Sequence, residues 1–266
     1  MIAKVFISGS IEIQNLPQEV CIRLKNIMVK NMQVLVGDAS GVDLLVQKFF
    51  ADYDYNDVTV YSIYQNPRNF YSTKFKTKFV DVADDVKKER ERQQFKDKQM
   101  SIDSNYSLII WDSVSKGSFS NIIRALELGK KVVVYLIKEQ AFLSKDKCTI
   151  PEIEFIYRKY NGYTASEILE YFQKERINTF SNIKQFHDFL IKNKIILKKG
   201  TKYEPNPELS QEKVTEFFIK TKYKGKDTGI KYTNNLIEWL EENIKKSNIN
   251  EYSSEQGKLD FYQTVP

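Results

Sequence analysis

Across the first 140 residues, short apolar runs alternate with amphipathic stretches, and nearly every run ends in small or acidic residues. The runs at 3–10, 33–36, 58–63, 106–111 and 130–136 are rich in β-branched and aromatic side chains and read as strands. Between them, Val20, Leu24 and Ile27 follow Pro17 at helical spacing, and a proline suits the first turn of a helix. Leu45, Val46, Phe49 and Phe50 form a second apolar stripe, and Ile122, Ile123, Ala125 and Leu126 a third that runs to Gly129. Strands that alternate with helices five times require parallel β-α-β units, and strands this uniformly apolar require helices on both faces of the sheet. The stretch 69–99, centred on Lys87-Lys88-Glu89-Arg90-Glu91-Arg92, is expected as a solvated helix with mixed-sign pairs.

In such sheets ligands collect at the carboxyl ends of the strands, near the point where the strand order reverses. Three of these ends carry turn chemistry: Ser8-Gly9-Ser10, Gly37-Asp38-Ala39-Ser40-Gly41-Val42-Asp43, and Asp112-Ser113-Val114-Ser115-Lys116-Gly117-Ser118. Glycine lets a backbone approach closely, and a helix start presents unpaired N–H groups to a phosphate. Asp38, Asp43 and Asp112 either cap helices or reach a ligand's ribose hydroxyls, and they are also the carboxylates available for catalysis. Arg68 and Asn69, after the third strand, and Lys98, ahead of the fourth, are the further candidates for contacting a phosphate.

The chemistry available is narrow. Two cysteines lie far apart with no CxxC pattern, and there is one histidine, so neither a disulfide framework nor a metal site is expected. A Ser-His-Asp arrangement would need His187 to fold back over the first domain. His187, on a helix with Phe186 and Phe189, is instead expected to be structural. No apolar run approaches the roughly 18 residues of a membrane span, and the start leads straight into a strand, so a cytoplasmic protein with no membrane partner is expected.

Taken in order, Ser-Gly-Ser, Gly-Asp-Ala-Ser-Gly-Val-Asp, Pro67-Arg68-Asn69, Lys98-Gln99-Met100 and Trp111-Asp-Ser-Val-Ser-Lys-Gly-Ser resemble the SLOG superfamily. The likeness is to its YspA-like branch, a relative of the LOG and DprA nucleotide-binding domains. It implies a Rossmann-like fold over 1–140 that binds a nucleotide or NAD-derived molecule through Ser8 to Ser10, Gly37 to Asp43, and Ser115 to Ser118. LOG-type hydrolases cleave an N-glycosidic bond with the Glu of a Pro-Gly-Gly-x-Gly-Thr-x-x-Glu motif. Here Asn121 stands at the Glu position and Val114-Ser115-Lys116 replaces Pro-Gly-Gly. An amide does no acid/base work, so binding without turnover is the expectation.

Residues 141–176 read as connector helices, 177–247 as a smaller, mainly helical domain, and 248–266 as a tail with little periodicity. Helices with a short strand and turn near 193–201 are similar to winged-helix modules, and Phe189 to Ile196 with Tyr232 to Leu240 resemble the C-terminal domain of KilA-type phage antirepressors. Residues 177–250 hold 14 lysines against nine acidic residues. Lys192, Lys194, Lys198, Lys199 and Lys202, with Lys220, Lys222, Lys224 and Lys226, form either a stripe facing nucleic-acid phosphates or a solvated surface. The expectation is therefore a nucleotide-sensing protein with a DNA- or protein-contacting domain, and a homo-oligomer stays open. The alternatives are an enzyme acting on a nucleotide's N-glycosidic bond, such as a phosphoribohydrolase or deoxyribosyltransferase, and a phage- or defence-related interaction module.

Overall fold

Alternate residues of each apolar strand point to opposite sides of the sheet, and each side meets its own helices. The computed structural model describes residues 2–175, 179–223 and 226–244, with the backbone alone for 222, 223 and 226–228. The chain divides into two units, Met1–Tyr157 and Arg158–Pro266.

The first unit is a seven-stranded sheet: β1 (Lys4–Gly9), β2 (Gln33–Val36), β3 (Val58–Ser62), β4 (Lys76–Phe79), β5 (Tyr106–Trp111), β6 (Lys131–Leu136) and β7 (Ala141–Phe142). The spatial order is β4-β3-β2-β1-β5-β6-β7, and every pairing is parallel except β6 with β7. This is the Rossmann-like α/β arrangement. The chain steps outward from β1 to β4 and returns to β5 on the other side of β1, so the switch point lies between β1 and β5.

The helices of this unit are α1 (Gln18–Val29), α2 (Val42–Asp52), α3 (Glu89–Asp103) and α4 (Lys116–Glu127). Val5, Ile7, Val34, Val36, Val58 and Val60 pack with Val20 and Leu24 of α1 and Val46 and Phe50 of α2. Phe6, Leu35 and Tyr61, one residue out of step, pack on the other face with Met100 of α3. That two-residue alternation is the strand period itself, and it explains why the strands carry almost no polar positions.

The charged stretch at 69–99 departs from the single helix expected there. Helix α3 begins only at Glu89, and Lys76-Thr77-Lys78-Phe79 forms the parallel edge strand β4 with all four residues exposed. Lysines on an exposed edge discourage pairing with another chain, which is a reason for a polar sequence to sit in a sheet.

The division between the units falls within α5 (Ile150–Asn161). The second unit continues with α6 (Ala165–Lys174), α7 (Ile183–Lys192), the antiparallel pair β8 (Ile196–Lys199) and β9 (Lys202–Pro205), then α8 (Gln211–Phe217). A second antiparallel pair follows, β10 (Phe218–Tyr223) and β11 (Lys226–Tyr232), and residues 234–244 form helix α9. Ile168, Phe172, Phe186, Leu190, Phe217, Leu236 and Leu240 make its core. Thr164 starts α6 with a full capping box to Glu167, and Asn182 caps α7 through the Gln185 N–H at 3.0 Å. Gly200, at φ 62°, leads the two-residue loop of the first hairpin, as a tight β-turn of this kind requires. The tail 248–266 lies outside the described residues.

Candidate functional site

The three turns marked in the sequence meet at the carboxyl edge of the sheet, and the packing there explains two of their glycines. A Cβ on Gly9 would collide with the Ile110 carbonyl oxygen and with Val42, so only glycine lets the end of β1 pass between β5 and the start of α2. A Cβ on Gly37 would collide with the Asp43 carboxylate and lie 2.9 Å from Lys96 Nζ. Gly117 has nothing within 4 Å of a Cβ and faces open space. Gly9→Ala is therefore expected to destabilise the first unit by about 1–3 kcal/mol through overpacking, and Gly117→Ala to leave it unchanged or slightly more stable. Urea unfolding of the two variants beside the parent checks this, and equal midpoints for all three would contradict it.

Serine hydroxyls tie the first and third turns together. Ser10 Oγ and Ser115 Oγ are hydrogen-bonded at 2.7 Å, and Ser10 Oγ also accepts the Asp112 N–H at 3.3 Å. Asp112 Oδ1 accepts from the N–H groups of Ser115 at 2.7 Å and Val114 at 3.1 Å. These bonds hold Ser113 in the left-handed region, φ 64°, which disfavours a residue with a side chain. Below the turn, the Trp111 indole donates to the Ser115 carbonyl at 3.2 Å, and the stacked rings of Phe119 and Tyr157 continue the support. Ser115 gives the start of α4 no side-chain cap, which leaves the positive end of the helix dipole at this turn. Ser118, in that first turn, is 3% exposed and its Oγ has no hydrogen-bond partner among the described residues.

The second group is ionic. Asp38, fully buried at the end of β2, accepts from Lys96 Nζ at 2.9 Å, Arg68 Nη2 at 2.8 Å, Ser62 Oγ at 2.8 Å and the Arg68 N–H at 3.2 Å. These donors outweigh the large cost of its burial and hold its carboxyl far below the usual range. Asp43 has the opposite fate. Its carboxylate accepts the Ala39 N–H at 3.2 Å, but burial and the nearby Asp97 and Asp38 push its pKa up to about 7 against the pull of Lys96. Burial also raises Asp97 on α3. Asn69 Nδ2 donates to the Asp38 carbonyl at 2.8 Å, and the buried Gln47 donates to the Gly37 carbonyl at 2.9 Å while accepting the Tyr71 N–H at 3.0 Å.

Asn121 is 4% exposed and joins the two groups. Its Nδ2 donates to Ser8 Oγ and to Asp97 Oδ2, both at 3.3 Å, and its Oδ1 accepts from Arg124 Nη1 at 2.7 Å.

Of the residues singled out from the sequence, Ser8, Gly9, Ser10, Asp112 and Ser115 sit together, as do Gly37, Asp38, Asp43, Arg68 and Asn69. Gly41, at φ 69°, starts α2 against the backbone of Ile11. Lys98 lies exposed on α3, while Lys96, two residues earlier, is the lysine turned into the protein. Lys96, Asp97, Ser62 and Gln47 belong to the cluster and carry no signal in the sequence beyond their neighbours. No group of three or more His, Cys, Asp or Glu among the described residues is placed to hold a metal ion.

In the second unit, Lys192, Lys194, Lys198, Lys199 and Lys202 are exposed on α7 and the first hairpin. Lys194 pairs with Glu208 at 3.1 Å and Lys199 with Glu204 at 3.4 Å, exposed contacts of small energy. The side chain of Lys222 and all of Lys224 lie outside the described residues. His187 is buried against Tyr203, ring centroids 3.9 Å apart, and burial lowers its pKa, in keeping with a structural place.

No family model and no curated protein matches this chain. Among solved structures, the chain is similar to DNA processing protein A from Helicobacter pylori. The likeness has 16% identity and a TM-score of 0.38, over 72% of this chain and 81% of that one, and the matched protein binds single-stranded DNA. A likeness of this size assigns no function. No helix among the described residues is long and apolar enough to cross a membrane.

Proposed function

We propose that the first unit is a SLOG-type domain that binds a nucleotide or nucleotide-derived molecule at the switch point and senses it without cleaving it. The observation that carries this reading is the convergence of the Ser8–Ser10 and Asp112–Ser118 turns on the uncapped start of α4, with a buried, unpartnered Ser118 hydroxyl there. Lys96 and Arg68 are already engaged by Asp38. Backbone N–H groups, hydroxyls and the exposed Lys116 at the start of α4 are then the groups placed to take a phosphate. Asn121 supports sensing over hydrolysis, because its amide is held by Ser8, Asp97 and Arg124 and supplies no carboxylate.

Trp111 supplies the test, since its indole is bonded to the turn that would close on a ligand. In a Trp239→Phe background, titration with nucleoside phosphates, NAD and cyclic nucleotides is expected to change Trp111 emission saturably for at least one of them. A flat response to every compound would count against the reading.

One observation favours a second reading, cleavage of a nucleotide's N-glycosidic bond. Asp43 titrates near neutrality, which suits a general acid or base at cellular pH. Incubation with nucleoside monophosphates or NAD, followed by chromatography for released base, separates the two readings. Sustained release abolished by Asp43→Asn would establish the enzyme.

We read the second unit as a winged-helix-like contact for nucleic acid. Its support is the excess of lysine and the exposure of Lys192, Lys198 and Lys202 around α7 and the first hairpin.

A further inference from the structure

The second unit contains a cavity of about 410 Å³ bordered by the first hairpin, the start of α8 and the second hairpin. That volume falls in the range of small-ligand sites. Its walls differ in chemistry. Tyr203 of β9 lines it, and the same ring lies against His187 at 3.9 Å. Asn206 and Gln211, which carry side-chain amides, are among its lining residues, and Asn206 Oδ1 accepts the Glu208 N–H at 2.9 Å, which orients that amide. Val214 and Ile230 add apolar surface. Lys202 and Lys220 also line it, together with Glu204, whose carboxylate is paired with Lys199 at 3.4 Å, and Lys198 lies directly across the hairpin from Tyr203.

An aromatic ring, amides that both donate and accept, and lysines beside them are complementary to one chemical object: a flat heteroaromatic ring carried on a phosphate chain. We propose that this cavity receives an unstacked base of single-stranded nucleic acid, with Tyr203 as its stacking platform and the lysines on the flanking phosphates. His187 backs the ring and holds it in place. The proposal rests on the reading of the second unit as a nucleic-acid contact and goes beyond it, because surface lysines alone would hold duplex and single strand alike.

The contributions separate by their salt dependence. Stacking on a ring is insensitive to salt, whereas phosphate contacts weaken as counterions compete. The experiment is fluorescence anisotropy of the full chain with a labelled 20-nucleotide oligo-dT and with a labelled duplex, at about 50 and 200 mM salt. Tyr203→Ala is expected to weaken oligo-dT binding on the order of tenfold with an unchanged salt slope. Tyr203→Phe is expected to bind like the parent. Lys198→Ala/Lys202→Ala is expected to lower the salt slope on both probes.

Gln211→Trp provides a second route. Gln211 is exposed at the start of α8, so a tryptophan there closes the cavity without entering the core. It should weaken oligo-dT binding as Tyr203→Ala does. Salt-sensitive binding that neither Tyr203→Ala nor Gln211→Trp reduces would overturn the base pocket and leave the lysine contact standing. Absence of binding to either probe at the lower salt would overturn both, and would point to a protein as occupant of the cavity.

Discussion

Replacing Asp38 by alanine is expected to cost the first unit about 3–5 kcal/mol, because it leaves a lysine ammonium inside the protein without its partner. The Lys96 side chain is 3% exposed and that of Asp38 0%. Arg68, at 39%, regains water when the carboxylate is lost and adds little to the penalty. Lys96 would turn part of its field on Asp43, so Asp43 should ionise more readily in the variant. The double change Asp38→Ala/Lys96→Met should recover much of the loss, since an apolar side chain of similar length replaces the stranded charge. Urea unfolding at neutral pH measures all three, and a single variant within about 1 kcal/mol of the parent would contradict the role given to the pair. The sign with pH follows from the depressed carboxyl. Asp38 stabilises the fold above the ordinary carboxylate pKa, and that contribution is lost as pH falls through the folded value.

Asp43→Asn is expected to act in the opposite direction. Burial pushes the carboxyl up to about 7 in the fold, while in the unfolded chain it stays near 3.8, the ordinary aspartate value. Between those values the folded state holds a proton that the unfolded state has released, so stability falls as pH rises, and above about 7 the full cost is present. That separation corresponds to a stabilisation by asparagine on the order of 4 kcal/mol at pH 8, and to well under about 1 kcal/mol at pH 4. Asparagine also retains an oxygen for the Ala39 N–H. Melting temperatures of parent and variant at the two pH values check the prediction, and a variant less stable than the parent at pH 8 would show that the Asp43 charge is welcome there.

These expectations rest on side chains that differ in how visible they are from sequence. Strands β1, β2, β3, β5 and β6 are legible because both faces are buried and nearly every position is apolar. The turns after β1 and β2 are legible because tight packing demands glycine at 9 and 37, and the turn after β5 because small and acidic residues follow its apolar run. Lys96 is not, since it sits in a run of charges whose local pattern describes a solvated helix. What buries it is Asp38, 58 positions earlier in the chain. The same reason leads to Lys98 in the sequence and to Lys96 in the structure, for helical phase within a charged run is set by tertiary partners. Strand β4 is hidden because an exposed edge needs no apolar pattern. The second hairpin is hidden because its lysines interrupt the alternation that marks a strand. Asn121 is visible as a substituted position, but two of the partners that engage its amide, Ser8 of β1 and Asp97 of α3, emerge only when those elements pack on α4, while Arg124 lies one turn along α4 itself.

Two of the site's glycines, Gly37 and Gly117, also decide how it is best probed. A large side chain at Gly37 would break the Asp38, Asp43 and Lys96 cluster, so loss of binding there would be indistinguishable from loss of fold. Gly117 faces open space at the start of α4, where a bulky residue blocks the turn and leaves the packing intact. The most direct measurement is therefore calorimetric titration of the full chain and of Gly117→Trp with nucleoside mono-, di- and triphosphates, NAD and cyclic nucleotides. A nucleotide at the switch point requires saturable heat with at least one compound for the parent, and none for Gly117→Trp at an unchanged melting temperature. Equal heats for the two proteins, or no heat from any compound with the parent, would contradict it.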